Sequence, residues 1–409
     1  MRRGSLGATV LVVAAVLGGS APAVASGTDA VRDAEYWLDD YGIRDAWNVT
    51  RGAGVTIAVI DTGVGAPPEL QGVVTGGTDF SGQGSSDGRT PVGPDGEHGT
   101  LVASLAAGRG TGAGAGVIGS APEASVLAIS IGFDTGDSDQ QIADAVRWAV
   151  DHDADIINMS LTRNTLDWPV SWDDAFTYAA EHDVVVLAAA GNRGSGTTTV
   201  GAPATMPGVL TVAGVDRAGA TSDTASAQGV TIGVAAPSED LVGAMPDGSH
   251  ARWSGTSGAT PIVAGVVALV KAAHPELDAA NIINRVTATA RDAGAPGPDV
   301  AYGFGLLDAS AAVRADVPLV DANPMGDLEE WIRVNRPHDS GGDAIEAGPA
   351  PVAESAPEET FDPVGVLVPS PMMLAQVGGP LLGALLVVFV IGGTITGAAL
   401  AVRGASRKR

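Results

Sequence analysis

The sequence predicts an α/β fold, a doubly wound and mostly parallel sheet flanked by helices, plus one C-terminal transmembrane helix. Three observations lead there. Six short apolar runs are nearly continuous in hydrophobicity, the mark of strands buried on both faces. Helix-like segments separate them, and such alternation implies a parallel sheet with its site at the carboxyl ends of the strands. Lastly, residues 363–402 carry no charge, and the stretch 380–402 is long enough to cross a bilayer.

In chain order, residues 1–25 read as a secretory signal peptide, with Arg2 and Arg3 ahead of an apolar run and Ala23 and Ala25 at its close. Residues 26–50 form a short N-terminal extension. The main domain, 51–317, is expected to hold strands at 55–61, 124–131, 154–161, 183–191, 208–215 and 230–237. Helices are expected at 98–107, 138–152, 171–182, 257–274 and 280–289. Periodicity stops near Val317, and 318–373 is an acidic linker containing Pro and Gly, read as an extended stalk. A helix around Trp331 that docks on the domain is the competing reading. The transmembrane helix occupies 374–402. The basic tail 403–409 then stays in the cytoplasm under the positive-inside rule, which leaves the main domain outside the cell.

Composition removes several function classes. The 409 residues are 45% hydrophobic, ample for a large core. Acidic residues number 47 against 22 basic, a formal charge of -25, so nucleic acid is excluded as a partner of the main domain. Cysteine is absent, which rules out disulfides, thiolate metal sites and a thiol nucleophile.

Three residues stand in settings suited to chemistry. Asp61 follows an apolar strand directly, where a carboxylate can orient a partner or cap a turn. Its Asp-Thr-Gly setting recurs at Asp134, but the acidic neighbours there favour a solvated loop over a carboxylate dyad sharing one proton. His98 opens an apolar helix, where the dipole favours the neutral ring that can accept a proton. Ser257 lies between Gly255 and Gly258 at the mouth of a second apolar helix. Such glycines free the backbone path and let a substrate approach, and Pro261 is tolerated near a helix start. The helix N-terminus favours an oxyanion beside the serine, although a plain N-cap fits the position too. Together they supply what a serine nucleophile requires, namely a base to take its proton and a third group to hold that base. The remaining five histidines form no metal-ligand spacing.

The blocks "VTIAVIDTGV", "HGTLVASLAAG" and "SGTSGATPIVAG" resemble the three active-site segments of the subtilisin-like serine proteases. "INMSL", "AAAGN" and "AYGFGLLDASAA" match further segments of that family, in order, between about Ile43 and Val313. The resemblance implies a catalytic domain at 51–317, a triad of Asp61, His98 and Ser257, and Asn192 in the oxyanion hole. Losing one such donor typically costs roughly 2.7–4 kcal/mol. It also implies that Ser160, Leu161, Thr162, Ala189, Ala190 and Gly191 wall the primary specificity pocket. Protein or peptide is then the substrate and no cofactor is required. Calcium is frequent in the family, yet no oxygen-rich loop marks residues for it here. The chain departs from the family at Leu101, where a second histidine is common, at Gly258, often Met or Phe, and at Thr162, frequently Gly. The extension is also too short for a folded inhibitory propeptide.

The extension, signal peptide, stalk, single span and basic tail further resemble the mycosins, membrane-anchored subtilisin-like proteases associated with type VII secretion. That resemblance implies a single-pass protein of the cell membrane with an extracellular catalytic domain, and a type VII secretion complex as partner. Mycosins generally carry cysteines and this chain has none, so a generic anchored subtilase is the alternative. A mainly structural role in assembling a secretion complex is a second hypothesis.

Overall fold

A computed structural model describes residues 29–133, 136–336 and 362–364. The signal peptide 1–25, the transmembrane segment 374–402, the tail 403–409, and Asp134 with Thr135 lie outside the described residues.

Three short helices open the domain, α1 (Ala30–Ala34), α2 (Trp37–Asp40) and α3 (Ile43–Ala46). Then come β1 (Thr56–Asp61), β2 (Val74–Asp79), α4 (His98–Ala107), β3 (Ser125–Ser130), α5 (Ser138–Asp151) and β4 (Ile156–Met159). After these follow α6 (Val170–Glu181), β5 (Val185–Ala189), β6 (Leu210–Val215) and β7 (Ile232–Pro237). A hairpin of β8 (Leu241–Ala244) and β9 (His250–Trp253) leads into α7 (Thr256–Ala273), α8 (Ala279–Ala288), α9 (Ala309–Arg314) and α10 (Leu328–Asn335). The last described strand, β10 (Asp362–Val364), pairs antiparallel with β9.

The seven strands of the main sheet run in the order β2-β3-β1-β4-β5-β6-β7, and every pair in it is parallel. The chain leaves β1 toward β3 on one side and crosses to β4 on the other, so the order reverses at β1. A crevice forms at such a point beyond the strand's carboxyl end, and Asp61 is the last residue of β1. All residues of β4, β5, β6 and β7 are buried, as their near-continuous hydrophobicity implies, with Asn158 and Thr211 as buried polar exceptions. β2 escaped prediction because "VTGGTD" is a half-exposed edge strand without an apolar run.

The two helices that carry His98 and Ser257 are core helices. In α4 every residue after His98 is buried, and in α7 burial runs from Thr256 to Val270. α7 has the length and apolarity of a membrane span, but it packs inside the domain.

Two segments outside the predicted helices are folded. Within 318–373, the first part is docked rather than extended. Leu328 is buried, Trp331 and Ile332 pack against the core, and Asn323 Nδ2 donates to the Gly208 carbonyl at 3.0 Å. A core-facing face of this kind repays the entropy of ordering a stalk.

At the other end, Arg32 on α1 inserts into the loop 109–118. Its Nη2 donates to the carbonyls of Ala115 and Gly116 at 2.9 Å each, and its Nε lies 2.7 Å from Glu35 Oε2. Glu35 Oε1 accepts from the Ile118 N–H at 2.8 Å. Burial pushes the Glu35 carboxyl well above the usual carboxylate range, against the pull of Arg32. Removing the guanidinium strands that carboxyl, so Arg32→Ala is expected to lower stability by about 3–5 kcal/mol in urea unfolding. A loss below about 1 kcal/mol, the level of an exposed pair, would mean that Arg32 does not hold Glu35.

Candidate active site

The end of β1 and the start of α4 bring the first two groups together. His98 Nδ1 lies 2.8 Å from Asp61 Oδ1 and 3.0 Å from Oδ2. An ionised carboxylate only accepts, so Nδ1 carries the hydrogen and Nε2 is the acceptor. Asp61 is fully buried, and its Oδ1 also accepts from the Thr62 N–H at 2.7 Å. Thr62 is the brace of this corner. Its Oγ1 accepts from the Gly99 N–H at 3.0 Å and donates to the Gly96 carbonyl at 3.0 Å, tying the Asp61 turn to the helix that holds His98.

A second network gathers around Ser257. Its hydroxyl donates to the Ser160 carbonyl at 3.2 Å, and the Ser160 hydroxyl donates back to the Ser257 carbonyl at 2.8 Å. The returning bond has a cause in the sequence. Pro261 is the sixth residue of α7 and offers no N–H to the carbonyl four residues earlier, which belongs to Ser257. Ser160 supplies the missing donor. Pro261 thus lies one turn deeper than a helix start, and the pocket wall compensates for it.

Asn192 joins the same network through Thr256. Its Oδ1 accepts from the Thr256 N–H at 2.8 Å and from Thr256 Oγ1 at 2.9 Å, while Thr256 Oγ1 accepts from the Gly191 N–H at 3.1 Å. With Oδ1 committed, the amide keeps its Nδ2 hydrogens as donors for a substrate.

Trp253 links the two networks. Its ring meets His98 edge to face at 5.8 Å, and it lies 3.3 Å from where a Cβ on Gly258 would stand. That Cβ would also fall 2.3 Å from Leu241 Cδ1. Glycine at 258 is therefore a packing requirement, because Trp253 and Leu241 fill the space a larger residue would use. Gly255, at φ 160°, is extended backbone open to any residue, so the expected freedom of the glycine path is not its reason.

The expected pocket residues divide. Ser160 touches Ser257, and Thr162 faces Gly191, where a Cβ would stand 3.2 Å from Thr162 Cγ2 and 2.5 Å from Thr197 Cγ2. Gly191 has φ +97°, so both conformation and space demand glycine. Leu161, Ala189 and Ala190 are buried. Thr62, Thr256, Thr197 and Trp253 were not singled out from the sequence. The two threonines adjoining Asp61 and Ser257 were the available signal, since a hydroxyl beside a reactive group is a natural brace. Among the described residues no cluster of three or more His, Cys, Asp or Glu could hold a metal ion.

A family profile described as Peptidase S8, subtilase family, matches residues 52–305. The chain belongs to the subtilase family. Subtilisin E of Bacillus subtilis is 34% identical over 267 residues, covering 64% of this chain and 66% of subtilisin E. The match thus spans just under two thirds of that relative's length. Subtilases named subtilisins are serine endopeptidases. Among solved structures, MycP1 from the ESX-1 type VII secretion system superposes with a TM-score of 0.60 at 30% identity, covering 69% of this chain and 86% of MycP1. The MycP3 protease from the type VII (ESX-3) system gives 0.59 at 32% identity, covering 72% and 90%. The mycosin resemblance seen in the sequence is therefore shared by the fold.

Proposed function

We propose that this subtilase is a serine endopeptidase of the mycosin kind, held outside the cell by a C-terminal membrane span and working with a type VII secretion complex. The observation that carries the catalytic reading is the Asp61–His98 pair, with Nδ1 facing the carboxylate and Trp253 bridging from the ring to the start of α7. In this reading the Ser257 hydroxyl gives up the Ser160 carbonyl and donates to His98 Nε2. Its oxygen attacks the peptide carbonyl as Nε2 takes the proton, and Asp61 steadies the imidazolium. Asn192 Nδ2 and the Ser257 N–H receive the oxyanion. When the C–N bond breaks, His98 returns the proton to the departing amine. Water then repeats the sequence to free the acyl group. Every proton passes through His98, from serine to the amine and then from water to serine, so the reading calls for no cofactor.

The location and the partner rest on the signal-like residues 1–25, the uncharged 374–402 with its basic tail, and the likeness to MycP1 and MycP3. A fluorophosphonate probe tests the chemistry. It should label Ser257 in the wild-type chain, with the label located by peptide mass spectrometry, and should fail on His98→Ala. Full labelling of that variant would remove the histidine from the mechanism.

A further inference from the structure

We propose that Trp331 and Arg336, at the root of the stalk, are positioning residues for the substrate-binding loop, so that docking of the stalk sets the shape of the specificity pocket. The inference rests on the protease reading above. Its structural basis is a clamp on Trp168. The rings of Trp168 and Trp331 lie 4.3 Å apart, and the Arg336 guanidinium stands 5.5 Å from the first and 5.4 Å from the second. Arg336 Nε and Nη2 donate to the two oxygens of Asp173 on α6 at 2.6 and 2.9 Å, and Nη2 reaches the Trp168 carbonyl at 3.2 Å. Trp168 Nε1 donates to the same carboxylate at 2.6 Å. Asp173 is buried, so these charge-assisted bonds act with little competition from water.

Trp168 closes the loop that begins with Ser160, Leu161 and Thr162. The loop has little slack between those points. The Arg163 N–H donates to the Ala202 carbonyl at 2.7 Å, the Ala202 N–H donates to the Thr165 carbonyl at 2.9 Å, and the Arg163 side chain pairs with Asp139. Thr197, which crowds Gly191, donates to Asn164 Oδ1. Movement at Trp168 is thus passed along a short, tied segment to Thr162 and to the serine whose hydroxyl holds the Ser257 carbonyl. A change at Trp331 or Arg336 therefore reaches Ser160 and Thr162 through this segment.

The test uses the full-length chain with Trp331→Ala, Arg336→Ala and Arg336→Lys. Both alanine variants should lower kcat/KM for peptide substrates by about 10- to 100-fold, carried mainly by KM. Labelling by a small fluorophosphonate, which needs the triad but not the pocket, should stay near the wild-type rate. Arg336→Lys should recover part of the loss, because an ammonium keeps the charge but not the two-pronged geometry. Amide exchange should quicken across 160–168 and stay unchanged in β5. Unchanged exchange across 160–168 would overturn the proposal, as would a peptide kcat/KM at the wild-type value or probe labelling that falls in parallel with peptide cleavage. A wild-type chain that neither labels nor cleaves would instead sink the protease reading, and exchange would still decide the clamp.

Discussion

Ser257→Ala is expected to lower kcat for peptide hydrolysis by about a million-fold, the loss seen when the serine or histidine is deleted from the related enzyme subtilisin. The geometry explains why so much depends on one oxygen. Asp61, Thr62 and His98 are braced for a single purpose, to present an accepting Nε2, and without a hydroxyl there is nothing for it to accept. Stability should change little, since the hydroxyl makes one neutral hydrogen bond, to the Ser160 carbonyl at 3.2 Å, worth about 1 kcal/mol. The measurement is kcat beside a urea midpoint, and a fall of less than about tenfold would remove Ser257 from the nucleophile's role. The same variant separates the two hypotheses raised by the sequence. If it fully restores secretion in a cell lacking the gene, assembly rather than proteolysis is the essential task.

Asp61→Asn should cost about 10⁴-fold in kcat with KM nearly unchanged. The amide fits the same space but brings a donor where a carboxylate oxygen accepted. Thr62 continues to donate into Oδ1, as it does now at 2.7 Å, so the asparagine is driven to turn its nitrogen toward His98. The ring then holds its hydrogen on Nε2 and cannot take one from Ser257. Circular dichroism should be unaltered, and a rate within about tenfold of wild type would mean that the carboxylate does not select the tautomer.

Much of this architecture was legible because burial leaves a plain mark. β4, β5 and β7 read as near-continuous apolar runs, and α4 and α7 as largely apolar helices. Asp61, His98 and Ser257 were legible because each sits where such an element begins or ends. Short elements were not. α2 and α3 have four residues each, less than the span over which a helical period can be counted. Relations across the chain were also hidden. No local pattern says that Pro261 needs Ser160, that Thr256 fixes Asn192, or that Arg336 closes on Trp168. Those pairings exist only once the sheet has set distant loops side by side. At the root of the stalk the competing reading, a docked helix around Trp331, is the one the fold shows, its eight residues outweighed in the sequence by the acidic composition around them.

Arg32 has a consequence for where this protein can work. Converging backbone carbonyls, such as those of Ala115 and Gly116, are the donor type that hard metal ions seek. Here the positive charge is covalently attached to the polypeptide, so it cannot be diluted away or stripped by a chelator. The order of that loop is thereby insulated from the mineral content of whatever medium bathes the domain.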